Sequence, residues 1–106
     1  MLYELRRYTV PAGRQDDLDT VITDHVRPVL QAAGVQELGY WTGHEDEEDV
    51  FVYLLGFRDD DHRAATWQRL RSTPEWASLA EGFGDAPPWG AIRSTSLTPT
   101  AYSPAG

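Results

Sequence analysis

The chain has 106 residues, about one domain, and its 41% hydrophobic content with four tryptophans suffices for a modest core that a partner chain can extend. A formal net charge of −8 argues against nucleic acid or an anionic membrane as partner. The absence of cysteine excludes disulfides, thiolate catalysis and cysteine-ligated zinc.

The opening "MLYELRRYTV" alternates apolar and polar residues, which predicts a strand over Leu2–Val10. It lacks the long apolar run of a signal peptide, and no stretch approaches the roughly 20 apolar residues of a membrane span. A soluble cytoplasmic protein is therefore expected. Pro11–Gly13 break the strand. From Arg14, the apolar residues Leu18, Val21, Ile22, Val26, Val29 and Leu30 keep the three-four spacing of one helical face. Pro28 should kink this helix or end its first section, and Gly34 closes it.

Gln36–His44 and Val50–Phe57 read as strands joined by an acidic hairpin tip, Glu45–Asp49. The six consecutive apolar residues Val50–Leu55 predict a strand buried on both faces. A second helix is expected from about Asp61 to Arg71, with Ala64, Trp67 and Leu70 inward. Thr73 is placed to cap a third helix, with Pro74 at its first position. Gly82–Gly90 is a glycine- and proline-rich loop that carries Phe83 and Trp89 and is placed to act as a lid. Ala91–Thr98 is the last strand, so that residues 1–100 form one domain and residues 101–106 a tail.

This order predicts an α+β fold of split βαβ type, a four-stranded antiparallel sheet with helices on one face and the first and third strands central. Val52, Tyr53, Leu54 and Leu55 cannot all face the helices. A second copy covering the other sheet face, giving a homodimer, is the economical answer.

Asp59, Asp60 and Asp61 fall where a helix begins, and short carboxylates there accept from unpaired backbone amides. Consecutive residues diverge, so they make no metal site, and "HEDEED" lacks the alternating ligands of a calcium loop. His44 and His62 are expected to be exposed. His25, seven residues after Leu18, shares the apolar face and is the candidate general acid or base; the alternative is a core histidine bonded to a carbonyl. Glu4 and Arg6 share one face of the first strand and read as a structural ion pair. Arg7 points to the opposite face, either as a structural residue or to grip a carboxylate, enolate or phenolate. Among the aromatic residues, Tyr3, Tyr40, Trp41, Tyr53, Trp67, Trp76 and Trp89 are candidates to line a ligand cavity. No nucleotide, phosphate-loop, triad or zinc motif is present, and no cofactor is expected.

Several segments together resemble the NIPSNAP family: "LYELRRYTVPAGR", "HVRPVL" followed by Gly34, "GYW" at Gly39–Trp41, the strand ending "FRD", Arg63 with Trp67, "PEW" at Pro74–Trp76, and the tail "LTPTAYSP". Their order and spacing cover nearly the whole chain. The resemblance implies a ferredoxin-like subunit of a dimeric α+β barrel. Relatives of that barrel include cofactor-independent monooxygenases, muconolactone isomerases, dehydratases and haem-degrading enzymes, many of which hold their ligand between helices and sheet. His25 falls where the family pattern has histidine. The family has no single reaction, so the resemblance implies the fold more than the activity; His25, a titratable residue on an otherwise apolar helical face, leads to the expectation of a small cofactor-independent enzyme of isomerase, cyclase or monooxygenase type. It would act on a small aromatic or polyketide-like metabolite in natural product biosynthesis, with His25 as catalytic acid or base and Arg7 or a tyrosine stabilising an enolate-like intermediate. The alternatives are a non-catalytic dimer that binds a ligand or a protein partner, and haem binding with His25 as axial ligand.

Overall fold

A computed structural model describes residues 1–104; the last two residues of the expected tail lie outside the described residues. The alternating first segment forms β1 (Leu2–Val10). It is followed by α1 (Gln15–Val21), a π-helical turn (Ile22–Val26) and α2 (Arg27–Ala32), then β2 (Gln36–Glu45), β3 (Glu48–Phe57), α3 (Asp60–Arg71), α4 (Pro74–Phe83) and β4 (Ile92–Leu97). The sheet runs β2-β3-β1-β4 with every neighbouring pair antiparallel, so β1 and β3 are central. This is the predicted ferredoxin-like α+β arrangement.

Alternation sorts the central strands into two faces. Tyr8 and Val10 of β1 and Phe51, Tyr53, Leu55 and Phe57 of β3 meet Leu18, Val21, Ile22, Val26, Leu30 and Leu70 from the helices in one core. Pro28 acts one turn upstream of its own position. Proline has no N–H to give and its ring crowds the carbonyl four residues back, and the preceding turn is wider, with the Arg27 N–H reaching Ile22 O. Gly34 ends the helical run at φ 72°.

The acidic hairpin tip is tighter than expected. Only Asp46 and Glu47 lie between the strands, at φ 51° and 63°, the two-residue geometry that suits the twist of paired strands. Asp59 caps α3, its Oδ1 accepting from the His62 N–H at 2.8 Å, and Thr73 caps α4 by accepting from Trp76 N–H at 3.2 Å. The expectation of an exposed His62 is corrected. Its Nδ1 accepts from Arg58 N–H at 3.0 Å and its Nε2 lies 2.7 Å from Ala33 O, so the ring ties α3 to the end of α2 and is buried. The α3 core positions are accordingly His62, Thr66 and Leu70, and Ala64 is exposed.

No described helix covers the other sheet face. Leu5, Val52 and Leu54 are partly buried there, while Trp41 is 51% exposed and Leu97 39%. Trp41 folds back over Gly39, where a Cβ would stand 2.4 Å from the indole. No described helix is long and apolar enough to cross a membrane.

Candidate functional site

A cavity of about 250 Å³ lies between the helices and the sheet. Alternate residues of β1 bring Glu4, Arg6 and Tyr8 to its floor, joined by Tyr53 of β3 and by Ile92 and Ser94 of β4. The first helical run supplies an apolar wall of Val21, Ile22 and Val26. Arg63, Trp67, Leu70 and Arg71 descend from α3, and Trp76 and Trp89 close the remaining side.

The floor is one hydrogen-bonded network. Glu4 is 1% exposed; its Oε2 accepts from Arg6 Nη1 at 2.9 Å, and its Oε1 accepts from Arg63 Nη1 and Trp67 Nε1, both at 3.2 Å. Arg6 also donates from Nε to Tyr53 Oη at 2.9 Å and from Nη2 to Tyr8 Oη at 3.4 Å. The two tyrosine oxygens are 2.8 Å apart, and the Arg6 guanidinium lies 4.4 Å from the centre of the Trp67 ring. Burial works against the charge on Arg6, but the oxygens of Tyr53, Tyr8 and Glu4 outweigh it and hold the guanidinium more firmly protonated than usual. Burial, with Tyr8 beside it, pushes the Tyr53 phenol well above its ordinary value, so this residue stays a neutral O–H.

The loop after α4 is tied down. Gly90 N–H donates to Thr9 O and Ala91 N–H to Thr9 Oγ1, both at 2.8 Å. A Cβ on Gly90 would meet Thr9 Oγ1 at 2.5 Å, so this close approach requires glycine. The anchored loop lays Trp89 parallel to Trp76, with centroids 6.1 Å apart and planes 4° apart, and against Tyr8.

Tyr53, Trp67, Trp76 and Trp89 line this cavity; Tyr3, Tyr40, Trp41, His25 and Arg7 do not. Tyr3 packs on the opposite sheet face across Gly56, the face that also carries Trp41. Tyr40 stacks on Tyr53 with centroids 5.3 Å apart, and its hydroxyl donates to Glu37 at 2.7 Å. Arg7 lies on the uncovered face and pairs with Glu45 at 3.1 Å, away from the cavity. His25 is displaced by the π-helical turn: Leu18, Val21 and Ile22 are buried before it and Val26 and Leu30 after it, while the wider turn rotates residue 25 to the flank, where it is only half-buried. There it borders a shallow groove with Pro74, Glu75, Ser78 and Leu79. A haem held by His25 would therefore lie outside this cavity. Among the described residues no histidine lines it.

Sequence reasoning placed Glu4 and Arg6 on one strand face but gave them a structural role, and did not select Tyr8, Arg63 or Arg71. The available signal was parity: Glu4, Arg6 and Tyr8 alternate on one side of a central strand, and charge at such a position demands partners.

The NIPSNAP family model matches residues 3–104. No curated protein matches the chain in sequence. Among solved structures, the chain is similar to an uncharacterized NIPSNAP domain protein from Burkholderia xenovorans, with 26% identity, 98% of this chain and 99% of that one covered, and a TM-score of 0.76. Protein Atu4242 from Agrobacterium tumefaciens is 23% identical, with 98% of each chain covered and a TM-score of 0.78. A monooxygenase from the gene ActVA-Orf6 of Streptomyces coelicolor, in complex with the ligand Nanaomycin D, is 14% identical, with 96% of this chain and 89% of that one covered and a TM-score of 0.63.

Proposed function

The chain belongs to the NIPSNAP family, and from that premise we propose that its helix–sheet cavity binds a small aromatic metabolite and polarises an oxygen of it. The observation that carries this reading is the Arg6–Tyr8–Tyr53 cluster at the foot of an otherwise aromatic and aliphatic cavity. An apolar pocket with a few convergent polar groups is the usual form of a small-molecule site. Donors preset in a half-buried place favour negative charge as it develops on a carbonyl or phenolic oxygen. A cofactor-independent reaction of isomerase, cyclase or monooxygenase type suits such a floor. The Streptomyces coelicolor monooxygenase of similar fold, with its bound Nanaomycin D, supports the polyketide-like class of metabolite. In this account Arg6 and Tyr8 take the oxygen-binding role for which the sequence offered Arg7 or a tyrosine.

Two copies pairing through the uncovered sheet face complete the proposal. Leu5, Val52, Leu54, Trp41 and Leu97 make that face too apolar to stand open beside a solvated hairpin, and the family resemblance implies a dimeric barrel.

Thermal shift with naphthols, hydroxynaphthoquinones and small lactones tests the site. Ser94 is an exposed residue of the edge strand β4 that lines the cavity, so Ser94→Trp fills the space at little cost to the fold. A ligand at 100 times its dissociation constant adds about 2.7 kcal/mol, a rise of about 10–20 °C in a domain of this size. The wild type should show it and Ser94→Trp should lose it. An undiminished shift in the variant places the ligand elsewhere and removes the proposal.

A further inference from the structure

The hydrogen-bonding capacity of the cavity is one-sided. Both tyrosine oxygens at its floor already accept from Arg6, at 2.9 Å for Tyr53 and 3.4 Å for Tyr8. With the hydroxyls 2.8 Å apart, one phenolic proton is shared between them and the second has no acceptor left within the pair. Either hydroxyl can donate in that pair, but Tyr53 is 0% exposed and Tyr8 7%, and a buried O–H left without an acceptor is costly, which favours Tyr53 as donor to Tyr8 and leaves the Tyr8 O–H for a ligand. Arg6 uses three of its five N–H groups on Tyr53, Glu4 and Tyr8, which leaves donors over.

Acceptors, by contrast, are scarce. Among the described residues Glu4 is the one carboxylate of the lining, and it already takes Arg6, Arg63 and Trp67. Three guanidiniums, Arg6, Arg63 and Arg71, line the cavity; Arg6 and Arg63 share Glu4, and Arg63 is also paired with Asp60 at 2.9 Å, so Arg71 is the positive charge left over, in a chain whose net charge is −8. Arg71 is exposed at the rim, and its side chain makes no hydrogen bond or ion pair among the described residues. A neutral phenol entering this cavity has the Ser94 hydroxyl to take its O–H, whereas an oxyanion meets the donors of Tyr8, Arg6 and Arg71 together, and charge-assisted bonds are the strong ones.

We infer that the ligand binds as an anion: a one- or two-ring aromatic whose sp² oxyanion, carboxylate or phenolate, meets the Tyr8 hydroxyl and the Arg6 guanidinium while its ring lies against Trp76 and Trp89. This rests on the reading of the cavity as a ligand site. Its size follows from the volume of about 250 Å³, just under the roughly 300 Å³ at which ligand pockets usually begin. Arg71 draws the anion to the mouth, an attraction that salt screens.

Calorimetric titration of matched pairs tests the charge separately from the site. The pairs are 2-naphthoate with 2-naphthamide, and ionised 6-cyano-2-naphthol with its methyl ether. At least one anion should bind tenfold or more tighter than its neutral counterpart, and the ratio should shrink between low and high salt. Preference in the first pair alone identifies a carboxylate head, and in the second alone a phenolate head. Tyr8→Phe, which keeps the ring, and Arg71→Gln, at an exposed position, should each cut anion affinity three- to tenfold and change that of the neutral partners less than twofold. Equal affinities within both pairs overturn the anionic inference and leave the cavity reading intact. No binding by any of the four, or anion binding that survives Ser94→Trp, overturns both.

Discussion

Glu4 holds the cavity floor together, because a carboxylate that is 1% exposed takes three donors from β1 and α3. Removing one member of a buried charged group costs about 3–5 kcal/mol. Arg6 and Arg63 keep some contact with water, their side chains 18% and 29% exposed, which places Glu4→Gln near the low end, about 3 kcal/mol. Urea unfolding measures it, and a loss below about 1 kcal/mol would mean that the network is slack. Glu37 offers a pH test. Burial works against its charge, but hydrogen bonds from Arg27, Tyr40 and Gln31 prevail and hold the carboxyl below the usual range. A depressed carboxyl stabilises the fold fully above its unfolded value of about 4.3 and loses that contribution as pH falls towards the folded value. Wild type and Glu37→Gln should therefore differ in stability near neutrality and converge in acid; parallel curves would contradict the assigned cause. The sequence made the pairing of Glu4 with Arg6 legible through parity, but not which face meets the helices. Each face of β1 mixes charge with aromatic or aliphatic residues, so hydrophobicity cannot orient the strand.

At the scale of elements, most boundaries were legible because their signals are local: Asp59 and Thr73 as caps, Gly34 as a stop, Pro28 as a disturbance. The consequence of Pro28 was not. A helical period of 3.6 puts residue 25 on the inner face, whereas the wider turn from Ile22 to Val26 rotates it out, and a sequence period carries no record of that turn. His62 was missed for a related reason, since its acceptor, Ala33 O, is 29 residues away. The hairpin bears its own strain, with Asp46 and Glu47 both at positive φ. Glycine at the second position is the favoured choice in such turns. Glu47→Gly should therefore raise stability by about 0.5–1 kcal/mol, the relief of left-handed strain less the added unfolded-chain entropy. A melting curve reads this as about 2–8 °C, and a fall instead would mean that Glu47 makes interactions worth more than its strain.

For the whole molecule, the run Val50–Leu55 announced a strand with two apolar faces, and β3 is central with Phe51, Tyr53 and Leu55 on the helix side and Val52 and Leu54 on the other. That open face leads to the expectation of a dimer by light scattering, and Leu54→Asp should make it monomeric by placing a charge in the contact. A wild type that is monomeric at micromolar concentration would end the dimer proposal without touching the cavity. The ferredoxin-like order was legible because it follows from the element sequence and strand-crossover rules. The cavity was less so, since it joins β1, β3, α3, α4 and a loop through contacts of 45 residues and more along the chain, such as Tyr8 to Tyr53 and Glu4 to Arg63.

The four tryptophans report on the central claim without any substitution. Trp67, Trp76 and Trp89 line the cavity, while Trp41 sits on the opposite sheet face. In an ¹⁵N–¹H correlation spectrum, titration with 2-naphthoate should shift the indole signals of Trp76 and Trp89 most, with Trp67 following and Trp41 unmoved. Movement of Trp41 alone, or no movement at a concentration that saturates binding, would contradict a ligand site between helices and sheet.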